Sequence, residues 1–332
     1  MDLVDEGDGG GWILGPDGQR RWGLFGAAGL LLRAPNPDDP FDPLVLLQHR
    51  AKWTASGGTW ALPGGAIDSG ETPADAARRE TFEEAGIDPA AVQVRDERIT
   101  SRMDGSPHPR MFVGPGSEDR YPGTLPEGMS RESTVHWTYT TVAADVPQAL
   151  ETVANHESVE LRWVPESEVA EFNLMPAFAS AWPKLRSTGV RCVVDVANVL
   201  GSSGNGWWRD RAGATTTLLG KLSGAVPRTL LLDGAVLWIG GTTVVLEGAA
   251  KGAEAPEGLL RVDAPAAGDD TIAETAAGAL AEHGPGAVLA VTSDRGLRER
   301  FPAGISILGS GRFLSELGLK ERGGSGGRGG RP

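Results

Sequence analysis

Apolar residues along this chain fall into two successive patterns. In the first, apolar runs at Gly23–Leu32 and Leu44–Gln48 flank the turn-rich segment APNPDDPFDP, and helix-like sequence follows from Pro73 to Ala85. Val135–Ala143 and Val159–Val164 read as strands and Met175–Leu185 as a closing helix. Pro and Gly crowd residues 103–130, which predicts a long loop there. Residues 1–20 are rich in Gly and Asp, which predicts a flexible N-terminus.

The second pattern begins near Val190. A strand-like RCVVDV precedes a helix near Arg209–Leu222, and strand candidates follow at Thr229–Leu232, Thr242–Leu246 and Leu259–Val262. Then come a helix from about Asp270 to His283, a strand at Ala287–Thr292, a helix from Arg295, a strand at Ile305–Leu308 and a last helix from Gly311. Strands alternating with helices over short links predict a mostly parallel α/β sheet. The small residues STG from Ser187 suggest the break, giving one α/β domain over 21–187 and a second over 188–320. The Gly/Arg tail 321–332 reads as disordered low complexity.

Charge sharpens the division. Of 31 Lys+Arg and 44 Asp+Glu, residues 188–332 carry 15 of each, so the entire net charge of −13 lies in residues 1–187. An acidic front half argues against tight non-specific nucleic-acid binding there, though not against a phosphate ligand neutralised by metal. The single cysteine, Cys192, excludes an internal disulfide and fits a reducing, cytoplasmic setting. No apolar segment approaches the roughly 18 residues of a membrane span. The acidic, Gly-rich start lacks the basic and apolar parts of a signal peptide.

Residues 64–87 read GGAIDSGETPADAARRETFEEAGI. Thr72 can cap the helix, Pro73 suits its first turn, Asp75 completes a capping box and Gly86 supplies a stop. Glu80, Glu83 and Glu84 are spaced i, i+3, i+4 and share one face, while Ala77, Thr81 and Ala85 can pack inward. Three carboxylates on one face repel. Either they form a solvated acidic face, or a hard divalent cation with oxygen ligands offsets them and activates water against a phosphate.

The same string resembles the Nudix box, G-x5-E-x7-R-E-U-x-E-E-x-G-U, where U is aliphatic or Thr. The matching residues are Gly65, Glu71, Arg79, Glu80, Thr81, Glu83, Glu84, Gly86 and Ile87. The resemblance, spanning about residues 21–187, implies an α/β/α sandwich and a phosphoanhydride hydrolase (a MutT-like pyrophosphatase) using Mg²⁺ or Mn²⁺. It implies Glu80, Glu83 and Glu84 as metal ligands and catalytic residues, Glu71 and Arg79 as a structural ion pair, and a backbone carbonyl near Gly64 in the metal shell. It further suggests a carboxylate shortly before a Trp; NHESVELRW offers Glu157 and Glu160 before Trp163, and spacing favours Glu157. Gln48, His49, Arg50 and Trp60 precede the box, and of these Arg50 and Trp60 are the candidate substrate contacts. Trp60 either stacks on a base or packs the core. His136 and Trp137, on a strand, read as structural.

In the second half, acids end apolar runs. Asp195 closes Arg191–Val194 with Asn198 three residues on, Asp269 and Asp270 open a helix, and Asp294 follows Ala287–Val291. Such acids cap helices and form turns. They can also converge beyond the C-terminal ends of a parallel sheet, where open α/β folds bind ligands. The order DVAN, VVLEG, GDDTI, TSDRG resembles the NYN domain, a PIN-like nuclease fold, over about residues 189–318. That resemblance implies a Rossmann-like, mostly parallel domain with Asp195, Asn198, Asp269 and Asp294 as site residues, and Asp270 and Glu247 beside them. The family usually has Gly in the first motif, where this chain has Val196-Ala197. RNA is the implied partner, with Arg209, Arg211, Arg295, Arg298 and Arg300 available for phosphates and Trp207 and Trp208 for bases. The expected function is thus a Nudix hydrolase of a nucleotide-type substrate fused to a metal-dependent ribonuclease-like domain. The alternatives are a C-terminal module that only binds RNA for the first domain, or a nucleotide-sensing regulator.

Overall fold

The structure is a computed structural model that describes residues 7–320 apart from 17, 55, 109–124 and 203–206. The chain divides into two compact units, residues up to Ser187 together with Leu231–Val236, and Thr188–Leu230 together with Leu237 onward. Among the described residues no helix is long and apolar enough to cross a membrane.

The first unit is a mixed sheet between helices. Its strands are β1 (Trp12–Leu14), β2 (Arg20–Trp22), β3 (Ala27–Ala34), β4 (Leu44–Arg50), β5 (Trp60–Ala61), β6 (Gly64–Ala66), β7 (Gln93–His108), β8 (Val135–Asp145) and β9 (Ser158–Pro165). The main path is β2-β1-β7-β8-β3-β4-β5, with β6 paired to β3 and β9 to β4. Strand β3 lies parallel to β8 and antiparallel to β4 and β6.

Two helices cover the faces. Side chains alternate along a strand, so Ala28, Leu30, Leu32 and Ala34 of β3 pack with Ala76, Ala77 and Ala85 of α1 (Pro73–Ala85). On the other face Leu31, Val45 and Leu47 pack with Phe178, Trp182 and Leu185 of α2 (Pro176–Leu185). Burial on both faces explains why β3 is apolar from Ala27 to Leu32, the buried Arg33 being the exception. The end of α2 is tied to β3 by a buried pair. Arg33 Nη2 donates to Glu166 at 2.6 Å and to the Leu185 carbonyl at 2.8 Å, and Glu166 also accepts from the Ser187 N–H at 2.9 Å.

Two expectations need correction. The N-terminal stretch from residue 7 is not loose: β1 pairs with β2 and β7, Ile13 is fully buried, and the Gly9 N–H donates to Asp68 at 2.8 Å. The predicted loop from 103 begins later, because β7 continues to His108 through pairing with β8 and β1. Residues 1–6, most of the rest of that loop and the tail 321–332 lie outside the described residues.

The second unit is built on β10 (Thr188–Asp195), β11 (Arg228–Leu232), β12 (Ala235–Leu246), β13 (Leu259–Asp263), β14 (Val288–Val291) and β15 (Ile305–Leu308), of which the adjoining ends of β11 and β12 at Leu231–Val236 fall in the first unit. The order is β11-β12-β10-β14-β15, with β13 also on β12. The pairs β12–β10, β10–β14, β14–β15 and β12–β13 are all parallel, as the alternation of strands and helices predicts. Strand β12 starts seven residues before Thr242, after a turn at Asp233 and Gly234 that both hold positive φ, as a two-residue hairpin turn requires. Its helices are α3 (Val196–Gly201), α4 (Arg211–Ser223), α5 (Gly268–His283), α6 (Arg295–Arg298) and α7 (Ser310–Glu316). Cys192 is a buried free thiol, and burial pushes its pKa up.

Candidate functional site

Helix α1 forms where its caps dictate. Thr72 accepts the Asp75 N–H at 3.2 Å and donates to the Asp75 carboxylate at 2.6 Å, and Gly86 ends the helix in the left-handed region at φ 71°. Ala77, Thr81 and Ala85 are fully buried, which turns the acids toward the loop before the helix. That loop approaches closely because it is glycine. A Cβ at Gly64, where φ is 153°, would lie 2.2 Å from the Ala28 carbonyl oxygen; one at Gly65 would lie 2.5 Å from the Glu80 carboxyl.

Arg79 organises the acids. It donates to both oxygens of Glu71 at 2.9 Å, to Glu80 at 3.0 Å and to the Ala66 carbonyl at 2.9 Å, with Asp68 at 3.6 Å and Glu83 at 3.7 Å. These bonds hold the Glu71 carboxyl below the usual range and push the Arg79 guanidinium above its own. Glu84 is only 3% exposed and accepts the Gly64 N–H at 2.8 Å. Burial pushes its pKa up to about 7, while hydrogen bonds from Gln48 and Gly64 and the charge of Arg50 pull it back. Burial pushes Glu80 further, to about 8, and the neighbouring charge of Glu84 adds to that against the pull of Arg79.

Three segments close around these acids. Gln48 donates to the Ser158 hydroxyl at 2.9 Å, the Ala51 N–H donates to the Glu157 carbonyl at 2.8 Å, and the Asn155 N–H donates to the Glu84 carbonyl at 3.3 Å. Glu157 is near enough that its charge raises the Glu84 pKa. Glu160 instead pairs with Arg162 at 2.5 Å on the surface. Tyr139, whose hydroxyl occupies the space a Cβ on Gly29 would fill, is pushed up to about 12 by burial and senses Arg50, Glu84 and Glu80. Sequence reasoning passed over Tyr139; the signal available was Gly29, a glycine inside an apolar strand. Trp60 packs in the core, the second of the two readings its sequence position left open. It is 9% exposed, stacks on His49 with centroids 4.8 Å apart, meets the edge of Phe172 at 5.0 Å and lies under Arg162 at 5.2 Å. His136 pairs with Asp104 at 2.7 Å on the surface, and Trp137 is buried with its indole N–H on the Trp22 carbonyl at 3.0 Å.

Among the described residues no three His, Cys, Asp or Glu side chains form a preformed metal cluster. The contacts give the reason: Glu80 and Glu83 lean on Arg79, and Glu84 leans on Gly64. What the fold does assemble is a pair of hard carboxylate donors, Glu84 buried and Glu80 largely so, that repel one another and whose pKa values are pushed up toward the neutral range.

The second unit has a cavity of about 470 Å³ at the C-terminal edge of its parallel sheet, lined among others by Asp195, Asn198, Glu247, Asp269 and Asp294. Asp195 accepts the Asn198 N–H at 3.1 Å and the Thr292 hydroxyl at 2.8 Å; burial raises its pKa, and Asp269 and Glu247 add to this. Asp294 caps α6 by accepting the Leu297 N–H at 2.8 Å. Helix capping and convergence thus coexist in Asp195 and Asp294. The Asn198 side-chain oxygen accepts both the Ser293 N–H at 2.9 Å and the Ser310 hydroxyl at 2.6 Å. Glu247 accepts the Gly268 N–H at 2.7 Å and pairs with Arg211 at 3.5 Å. Asp270 is the exception: it does not line the cavity and instead pairs with Arg300 on the surface, which corrects its candidacy. Trp208 is 63% exposed, and the Trp207 side chain lies outside the described residues.

The NUDIX domain model matches residues 25–184. A Mycobacterium tuberculosis protein provisionally named 8-oxo-dGTP diphosphatase 3 is 47% identical over 181 residues, 54% of this chain and 70% of the relative. A Bifidobacterium longum nucleoside triphosphate pyrophosphatase/Nudix hydrolase fusion protein is 36% identical over 179 residues, 53% of this chain and 30% of that protein. The crystal structure of a Nudix hydrolase from M. smegmatis is 44% identical, covering 53% of this chain and 91% of that chain at a TM-score of 0.42. The chain belongs to the Nudix hydrolase family.

Proposed function

We propose that the first unit hydrolyses a phosphoanhydride bond of a nucleotide, with a nucleoside triphosphate bearing a damaged guanine as the first substrate to examine. The observation that carries this is the buried, mutually repelling pair Glu80 and Glu84 set against the glycine loop 64–65. Hard carboxylate oxygens of raised pKa suit a divalent cation, Mg²⁺ or Mn²⁺, which Glu80, Glu83 and Glu84 would hold with Glu157 beside them. Bound there, the cation supplies charge neutralisation for the phosphates and acidifies water. The protein's own contribution is positional. Arg79 and Glu71 fix the start and register of α1, Gly64 N–H and Gln48 orient Glu84, and Arg50 adds positive charge beside the acids. Water oxygen bonds to phosphorus, the bridging P–O bond breaks, and a carboxylate of the set takes the water's proton. The names of the relatives support the choice of substrate. The test is a panel of nucleoside triphosphates, including 8-oxo-dGTP, and nucleoside diphosphates linked to a second group, assayed with Mg²⁺ and with Mn²⁺ for released phosphate or pyrophosphate. Hydrolysis of none of them contradicts the proposal.

A specific observation favours a second activity. Acids from several strand ends, Asp195, Glu247, Asp269 and Asp294, line one cavity in a parallel sheet, the arrangement that supports a NYN/PIN-like domain cleaving RNA with a divalent metal. Cleavage of single-stranded RNA that Asp195→Asn abolishes supports this reading. RNA that binds and stays intact makes the unit a binding module instead.

A further inference from the structure

Trp53 is 60% exposed, yet its ring is not loose: it stacks on His156 with centroids 5.5 Å apart and an interplanar angle of 11°. Both rings lie on segments whose backbones are joined to the carboxylate site. Trp53 lies three residues beyond Arg50, in the link between β4 and β5, and the neighbouring Ala51 N–H is anchored on the Glu157 carbonyl at 2.8 Å. His156 immediately precedes Glu157, in a segment fixed on α1 by Asn155 N–H to the Glu84 carbonyl and by Val153 N–H to the Ala85 carbonyl at 2.9 Å. Two elements that frame the acids therefore also position a flat aromatic pair with most of the indole open.

Holding the exposed ring of Trp53 against a second ring removes entropy that would otherwise oppose docking onto it. Base–aromatic stacking takes any base, because every base has a π-face. The carboxylates and Arg50 address the phosphate end of a nucleotide and carry no surface for its base. Trp60, the other tryptophan near this site, is enclosed in the core.

We infer that the Trp53–His156 pair is the base-stacking platform of the first unit, receiving the nucleobase on the open face of Trp53 while the phosphates reach the acids of α1. This rests on the reading of the site as a nucleotide hydrolase and adds the element that binds the base.

The test uses the full chain, with dGTP as substrate and two inhibitors that contain no anhydride bond: dGMP, and 2-deoxyribose 5-phosphate, which lacks the base. In Trp53→Ala the KM for dGTP and the inhibition constant of dGMP rise about tenfold or more, kcat stays within about twofold, and the inhibition constant of 2-deoxyribose 5-phosphate does not move. Trp53→Phe, which restores a ring, stays within about threefold of the original chain. The platform is overturned if dGTP and dGMP are handled unchanged by the alanine variant, if the base-free phosphate weakens equally, or if the phenylalanine variant is as weak as alanine. In each of those outcomes the original chain still hydrolyses dGTP. A chain that hydrolyses no nucleotide overturns the hydrolase reading itself, and the platform with it.

Discussion

Arg79 grips both carboxylate oxygens of Glu71, eight residues earlier, through Nε and Nη2 at 2.9 Å each. The pair closes the loop that leads into α1, and the remaining nitrogen, Nη1, reaches Glu80 and Glu83. One guanidinium thus sets the loop and steadies the acids that would otherwise repel. A lysine offers a point charge without this fork. Arg79→Lys is expected to lower stability by about 1–2 kcal/mol, the range for charge-assisted bonds discounted for partial exposure. Chemical unfolding of the two chains measures it, and an unchanged midpoint contradicts the assignment.

A carboxyl with a higher pKa in the folded than in the unfolded chain binds its proton more tightly when folded, so protonation favours folding. Glu80 stands at about 8 and Glu84 at about 7, against an ordinary 4.5. Their stabilising contribution is full below about pH 4.5 and is lost as pH rises to about 8. A divalent cation competes with these protons. The rise in Tm on adding Mn²⁺ to EDTA-treated protein is therefore expected to be larger at pH 8 than at pH 6, and equal rises at both contradict it.

Two substitutions around α1 separate backbone crowding from capping. Alanine at Gly64 puts its Cβ 2.2 Å from the Ala28 carbonyl oxygen and 2.5 Å from the Gly29 Cα, both rigid backbone, at a φ of 153°. A loss of about 3 kcal/mol is expected. Thr72→Ala removes only the N-cap and costs about 1 kcal/mol. A reversed order in denaturant melts contradicts the loop geometry.

Much of this was legible in advance because chemistry fixes spacing. The acids Glu80, Glu83 and Glu84 must share a helix face, Thr72 and Gly86 must bound the helix, and the box is local in sequence. The parallel pairs of the second sheet were legible for a related reason, since β10, β14 and β15 are apolar runs followed by helices, whereas the β11–β12 hairpin broke that alternation. The missed features depend on partners distant in the chain. Strands β1 and β2 are three residues each, too short for a period, and exist through pairing with β7. Strand β7 is mostly half-exposed and polar, so its extent is set by β8 rather than by its own pattern. Trp53 and His156 lie about a hundred residues apart in loops, and Asp270 was grouped with Asp269 although the helix turns it toward Arg300.

In the second unit, Asn198 joins α3, the β14–α6 link and α7 through one side-chain oxygen that accepts from Ser293 and Ser310. Ser310 is fully buried, so removing the acceptor strands its hydroxyl. Asn198→Ala is expected to cost about 1–3 kcal/mol of unfolding free energy. A neutral result means that the cavity wall does not depend on this bond.

The central claim is that the α1 acids perform phosphoanhydride hydrolysis, and Glu84 tests it most directly. Its carboxyl is 3% exposed and burial pushes its pKa up to about 7, so glutamine keeps the shape and the acceptor for the Gly64 N–H while removing the charge. The measurement is kcat of Glu84→Gln at pH 8 with saturating Mg²⁺, on whichever nucleotide the original chain hydrolyses, alongside Tm in EDTA. The expected result is a fall of at least about a hundredfold in kcat, corresponding to roughly 2.7 kcal/mol, with the Tm in EDTA no lower than that of the original chain. A folded variant with near-normal kcat contradicts the account.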